Sequence, residues 1–298
     1  MNQLPDIRYM ELPEAVIAYS ITGKGPPLLL LHGFPETHVA WFQIAPLLED
    51  GFTLIMADLP GYGDSTITTH GGDERYTKRN MARQLVAFME NLGYQQFYLA
   101  GHDRGARVAF RLCLDFPHHV QKVVMLDIIP TADIAERLNF KLASSLGNWW
   151  LMGQPSPLPE TLFETTHEFY LEHILNSWSG GKAFFGSLAR SEYSRCFGNA
   201  ASRRAIFAEY RMGNTLDLED EQQSREKGEK VICPLLILWS SDGFVTGFGD
   251  PLIIWQNWCN NVAGKQLNGS HFFMEELPLE VSVLFKQFFM NEEPFNYS

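Results

Sequence analysis

Residues Leu99 to Arg107 read LAGHDRGAR, an apolar stretch running into glycine, aspartate and glycine at 101, 103 and 105. Glycines two residues to either side of a polar side chain allow a tight strand-to-helix turn. Such a turn holds the side chain out at the carboxyl edge of a sheet, where open parallel sheets bind ligands. These turns usually present serine, which suits acyl transfer. A serine that attacked a saturated carbon would form an ether, and water could not cleave it. A carboxylate forms an alkyl ester, which water opens at its carbonyl carbon with return of the carboxylate. Asp103 in this position therefore points to displacement of a leaving group from a tetrahedral carbon, by loss of halide or opening of an epoxide.

The second half of that chemistry needs a base for water, and His271 in LNGSHFF is the candidate. An acid must orient it. Asp127 ends the apolar run VVMLD and is favoured over Asp242 in WSSDG. Backbone N–H groups of Phe34, in HGFP, and of Arg104 are candidates for the oxyanion hole that the ester carbonyl requires. Arg104 and Arg107 lie three apart at the start of a helix, where positive charge opposes the helix dipole. That cost suggests a purpose: paired hydrogen bonds to a substrate carboxylate. An ion pair with a nearby acid is the plainer alternative, more so for Arg107 than for Arg104. His32, His102 and Arg111 are expected to be structural, and His118 and His119 to lie on the surface.

The elements that would position these residues follow from the apolar pattern. PPLLLLHGF, FTLIMADLP, FYLAG, VQKVVMLDI and PLLILWSSDG are short, wholly apolar runs ended by turn residues, as expected of strands buried on both faces. KQLNGSH supplies a last strand and loop. YTKRNMARQLVAFMENLG and DRGARVAFRLCLDF carry apolar residues at helical spacing between them. Strands alternating with helices imply a parallel sheet covered on both sides. Residues 133–225 lack buried strands and are rich in aromatics, so they read as a helical cap inserted between the sixth and seventh sheet strands. Residues 1–132 and 226–298 then form the core.

A net charge of -12 argues against nucleic acid or an anionic membrane as partner, and means that an anionic substrate needs local positive charge. Cys113, Cys196, Cys233 and Cys259 have no metal-ligand spacing and are expected to be free, mostly buried thiols in a reducing compartment. The N-terminus has no basic start followed by an apolar run, and no apolar run is long enough to span a bilayer, so a cytoplasmic protein is expected.

LLLLHGFPETHVAW, ADLPGYGDS, GHDRGAR, LDIIPT, QPSPLPE, EYRMGNTLDLE and GSHFF occur in this order along nearly the whole chain. Together they resemble the fluoroacetate and haloacetate dehalogenases of the α/β-hydrolase superfamily. The resemblance implies an α/β-hydrolase fold: a mostly parallel eight-stranded sheet, helices on both faces and an inserted helical cap. It implies Asp103 as nucleophile, His271 as base, Asp127 as orienting acid, and Arg104 with Arg107 as the carboxylate clamp. It implies a small anionic haloacid as substrate, no cofactor or metal, and a homodimer. Fluoride-releasing relatives hold the halide with a His-Trp pair and a tyrosine. Here those positions carry Asn148, Trp149 and Tyr210, while Trp150 is expected in the core. Asparagine donates an N–H but cannot become cationic, so chloroacetate and bromoacetate are expected to react more readily than fluoroacetate. An epoxide hydrolase using the same aspartyl ester is the alternative, although Arg104 replaces the tryptophan frequent after that family's nucleophile. A non-catalytic sensor that binds an acid is the rival of another class.

Overall fold

The run Leu28–Leu31 shows how the sheet is built. All four leucines are fully buried, yet they point alternately to opposite faces. Leu29 and Leu31 pack with Met81, Leu85 and Phe88 of the helix Lys78–Asn91 and with Val108 and Leu112 of the helix Asp103–Asp115. Leu28 and Leu30 pack with Trp41, Phe285 and Phe289 on the other face. Full burial of one such side chain stabilises by about 1.5–3 kcal/mol, so a strand with two apolar faces is held only where helices cover both sides.

The computed structural model describes residues 6–291. Its sheet runs β1 (Arg8–Glu11), β2 (Ala15–Gly23), β3 (Pro27–Leu31), β4 (Thr53–Ala57), β5 (Thr66–Ile67), β6 (Phe97–His102), β7 (Val120–Leu126), β8 (Leu235–Ser240) and β9 (Val262–Leu267). The spatial order is β1-β2-β4-β3-β6-β7-β8-β9. β1 and β2 are antiparallel to their neighbours and the other strands of this path are parallel. The eight-stranded, mostly parallel α/β-hydrolase sheet expected from the sequence is therefore present. It carries one addition: the two-residue β5 pairs with β2 and escaped notice because two residues leave no period to read.

Between β7 and β8 the chain is helical, from Thr131–Arg137 to Leu216–Glu226. The first of these helices starts two residues before the expected boundary at 133. Trp150, expected in the core, is 39 % exposed and donates its indole N–H to the Ala143 carbonyl at 2.9 Å. On the short helix Gly147–Met152, Trp149 takes the buried face instead. The four cysteines are free and buried. No described helix is long and apolar enough to cross a membrane.

Candidate active site

β6 ends at His102 and the next residue already begins a helix, so the backbone reverses within one position. Asp103 adopts φ +42°, a left-handed conformation costly to a side-chain-bearing residue and held only where the surroundings enforce it. Glycine makes the turn feasible. A Cβ on Gly105 would collide with the carbonyl oxygens of Leu31 and His32, and one on Gly101 with the backbone of Ala106. Gly105→Ala is expected to lower stability by about 3 kcal/mol, toward the upper end of single substitutions. Urea unfolding followed by circular dichroism measures it, and an unchanged midpoint would show that the turn tolerates a side chain.

Asp103 is 5 % exposed and its Oδ2 accepts the Phe34 N–H at 3.2 Å. Burial alone would raise its pKa. The charges of His271, Arg104, His102 and Arg107 outweigh burial and hold the carboxyl below its ordinary range, so it is ionised at neutral pH.

His271 lies in the loop after β9. Its Nδ1 is 2.6 Å from Oδ2 of Asp127. Asp127 is fully buried, sits at φ +54° directly after β7, and accepts the Ser240 N–H on its other oxygen at 2.9 Å. With Nδ1–H donating to Asp127, the Nε2 lone pair is left without a hydrogen-bond partner. Asp242, the competitor, is instead more than half exposed and 3.6 Å from the Lys182 ammonium. The His271 backbone N–H donates to the Trp178 carbonyl at 3.3 Å, and the Trp178 ring meets the imidazole edge-on at 5.2 Å. The helical insertion thus fixes the histidine, which spacing alone did not show. Among the other histidines, His32 and His102 are fully buried. The latter lies 2.8 Å from Glu36 and 3.0 Å from the His271 carbonyl.

A cavity of about 300 Å³ lies over Asp103, lined also by His271, Asn148, Trp149, Trp178 and Phe244. Core and insertion both contribute walls. Tyr210 is buried beside it, with its phenol oxygen 3.5 Å from the Asn148 amide nitrogen. Burial, with the charges of Asp103 and Glu209, keeps that phenol protonated. Asn148 and Trp149 thus line the cavity, and Tyr210 lies behind Asn148.

The two arginines differ, and in the reverse sense to the expectation. Arg104 is the one paired to an acid: Nε is 2.9 Å from both Glu209 oxygens and Nη2 is 2.5 Å from one of them. The sequence carried no signal for this, since the partner is 105 residues away. Arg107 is 3 % exposed and uses only Nη1, which donates to the Ile129 carbonyl at 3.2 Å and to Thr131 at 2.9 Å. Its Nε and Nη2, which form one edge of the guanidinium, have no partner. Burial and the neighbouring Arg104 push its pKa down to about 10, against the opposing pull of Asp103, Glu221 and Glu209. Both guanidinium groups lie against the Trp149 ring, at 5.3 and 4.6 Å from its centroid. Arg111 turns away to Ser224 and Asp115. Among the described residues no cluster of three His, Cys, Asp or Glu side chains could hold a metal ion.

A parallel sheet whose strand-to-helix turn presents an acid, backed by a histidine in the loop after the last strand, defines an α/β hydrolase. The α/β hydrolase fold family matches residues 26–276, and the chain belongs to it. Within that family it is 32 % identical over 283 residues to a fluoroacetate dehalogenase of Burkholderia sp, covering 94 % of this chain and 92 % of that one. It is 30 % identical over 264 residues to a soluble epoxide hydrolase of Corynebacterium sp., covering 87 % and 88 %. Among solved structures, a candidate epoxide hydrolase from Pseudomonas aeruginosa superposes with TM-score 0.91 at 35 % identity, over 96 % of this chain and 95 % of that one. A candidate α/β hydrolase from Nostoc sp PCC 7120 also gives TM-score 0.91, at 40 % identity over 97 % and 98 %.

Proposed function

We propose that this hydrolase removes halide from a small 2-haloacid. The observation that carries the reading is the unpartnered Nε–Nη2 edge of buried Arg107 in the field of the Asp103 carboxylate. A buried cation with two free donors on one edge is costly unless an anion completes it, and a carboxylate matches the spacing of that edge. With the substrate carboxylate held there, Asp103 attacks C2. The carbon–halogen bond breaks and halide leaves with its electron pair toward Asn148, Trp149 and Tyr210. His271 Nε2 then takes a proton from water and the resulting hydroxide attacks the ester carbonyl of Asp103. The backbone N–H groups of Phe34 and Arg104 stabilise the oxyanion. Collapse releases the 2-hydroxy acid and restores the carboxylate, and His271 gives its proton to solvent.

The protonated phenol of Tyr210 beside Asp103 favours a second reading. A phenol is the donor an epoxide oxygen needs as it opens, and the same ester would follow. An epoxide is neutral, however, and makes no use of the Arg107 edge.

A substrate panel separates the two. Halide release from fluoro-, chloro- and bromoacetate is measured beside hydrolysis of styrene oxide. Turnover of haloacetates with bromo- and chloroacetate ahead of fluoroacetate is expected; turnover of styrene oxide alone refutes the reading. Asn148→His is expected to raise the fluoride-to-chloride rate ratio by about tenfold, as from one strengthened hydrogen bond to the leaving ion. A ratio unmoved by the substitution would remove Asn148 from the halide site. The four buried thiols support a cytoplasmic setting.

A further inference from the structure

The cavity over Asp103 has a floor and a rim. Asp103, Trp149 and His271 line it and are buried, whereas Ser145, Ser177, Gly180 and Asp242 line it and are exposed. The mouth therefore lies among the exposed residues. They come from three segments: the helix Phe140–Ser145, the end of the helix Leu158–Trp178 with the turn that follows it, and the loop after β8.

Ser179, Gly180 and Gly181 make that turn. The two glycines have φ of +63° and +76°, and a Cβ on either would meet open space. Glycine is needed here for the left-handed backbone and not for close packing. From Lys182 to Gly186 the chain forms neither helix nor strand. Lys182 ties this stretch to the core. Its ammonium is 2.7 Å from Oε1 of Glu276 and 3.6 Å from Oδ2 of Asp242. Gly180 and Asp242 both belong to the rim, so the Lys182–Asp242 pair joins two of its three segments. Both side chains of that pair are exposed. Exposed ion pairs are weak and screened by salt, so such a tie breaks and re-forms readily.

We propose that Lys182 and Asp242 form a latch across the mouth of the active-site cavity. The glycine turn is the hinge on which the segment moves when the pair breaks. The latch governs how often the cavity admits a small molecule. It acts on the passage and not on Asp103, so it holds whichever substrate reacts there.

Two independent rim charges would behave differently from a latch. Lys182 is a cation and Asp242 an anion, so neutralising them shifts the local potential in opposite directions. As separate charges the two would act on a titrating group inside the cavity with opposite sign. As partners in one latch, loss of either has the same effect.

The test sets a thiol inside the cavity with Asn148→Cys and measures its labelling by methyl methanethiosulfonate, a small uncharged reagent, in the full chain. Peptide mass spectrometry separates it from the four native thiols, which are buried. Lys182→Met and Asp242→Asn, each added to that background, are expected to speed labelling by about two- to fivefold, the range open to an exposed ion pair. Lys182→Met, which also loses Glu276, should give the larger change. Raising the salt to about 1 M should bring the parent rate up to that of the variants, because the pair is then screened. Should Asn148→Cys not fold, Leu146→Cys offers a second buried position lining the same cavity. Faster labelling in both variants is the result expected. Rates that move in opposite directions, in one variant alone, or not at all overturn the latch and leave the proposed function standing.

Discussion

His271→Ala is expected to stop the reaction halfway. Chloroacetate should alkylate Asp103 once, release one equivalent of chloride and leave a carboxymethyl ester that intact-protein mass spectrometry finds on the peptide containing Asp103. Steady-state turnover should fall by about 10²–10⁴, the usual contribution of a positioned base. The burst of chloride should survive, because Nε2 serves only the second step. The first step depends on Asp103 being ionised. Its pKa is lowered in the fold, so the carboxylate persists as pH falls until its depressed value is reached. In wild-type protein, where His271 is present, the rate of the first chloride release should accordingly stay flat through the range in which an ordinary aspartate, at 3.8, begins to protonate. Isotope labelling gives the complementary result. In one turnover of excess wild-type protein in heavy-oxygen water, the label should enter the Asp103 carboxylate, and the product alcohol should carry an oxygen from the protein. Label passing straight into the product, or a variant that releases no chloride at all, would show that water and not Asp103 attacks the carbon.

How much of this was legible beforehand depends on the distance over which each feature is determined. Leu28–Leu31 and the glycines around Asp103 are local. An apolar run without polar interruption cannot rest on a one-sided sheet, and a turn too tight for Cβ atoms shows as glycine at fixed spacing. Asp127 was less plain, since Asp242 also follows a buried strand at the ligand-binding edge, and Asp127 was set ahead only because it directly ends its apolar run. The Arg104–Glu209 pair is different in kind. Nothing near Arg104 announces a partner on a helix of the insertion, and the dipole argument that drew attention to both arginines gave no means of telling them apart. The same holds for Trp178, whose carbonyl fixes His271. Trp149 and Trp150 are adjacent on a short helix, so pattern alone could not decide which one turns inward. What escaped the sequence is the docking of the helical segment on the sheet, a matter of tertiary contact that no period encodes.

The second large effect concerns Arg107, and it discriminates between the neutral and the anionic substrate classes. Arg107→Gln is expected to raise KM for chloroacetate and lower kcat/KM by about 10²–10³, corresponding to loss of a buried, doubly hydrogen-bonded charge pair worth about 3–5 kcal/mol. Arg107→Lys should restore only part of that, because an ammonium carries the charge but lacks the planar edge that meets both carboxylate oxygens. The loss should not reflect collapse of the fold. Among the described residues Nε and Nη2 have no hydrogen-bond partner to forfeit, and the Nη1 bonds to Ile129 and Thr131 are the direct hydrogen bonds removed. An equal fall in kcat/KM for chloroacetate and for neutral chloroacetamide would mean that Arg107 merely props up Trp149, against whose ring it lies at 4.6 Å. A fall confined to the anionic substrate is the outcome the unpaired edge requires. It would also explain how a chain of net charge -12 admits an acid at all: the attraction is a single buried cation at the reacting carbon, acting at short range where the overall field of the protein is of little account.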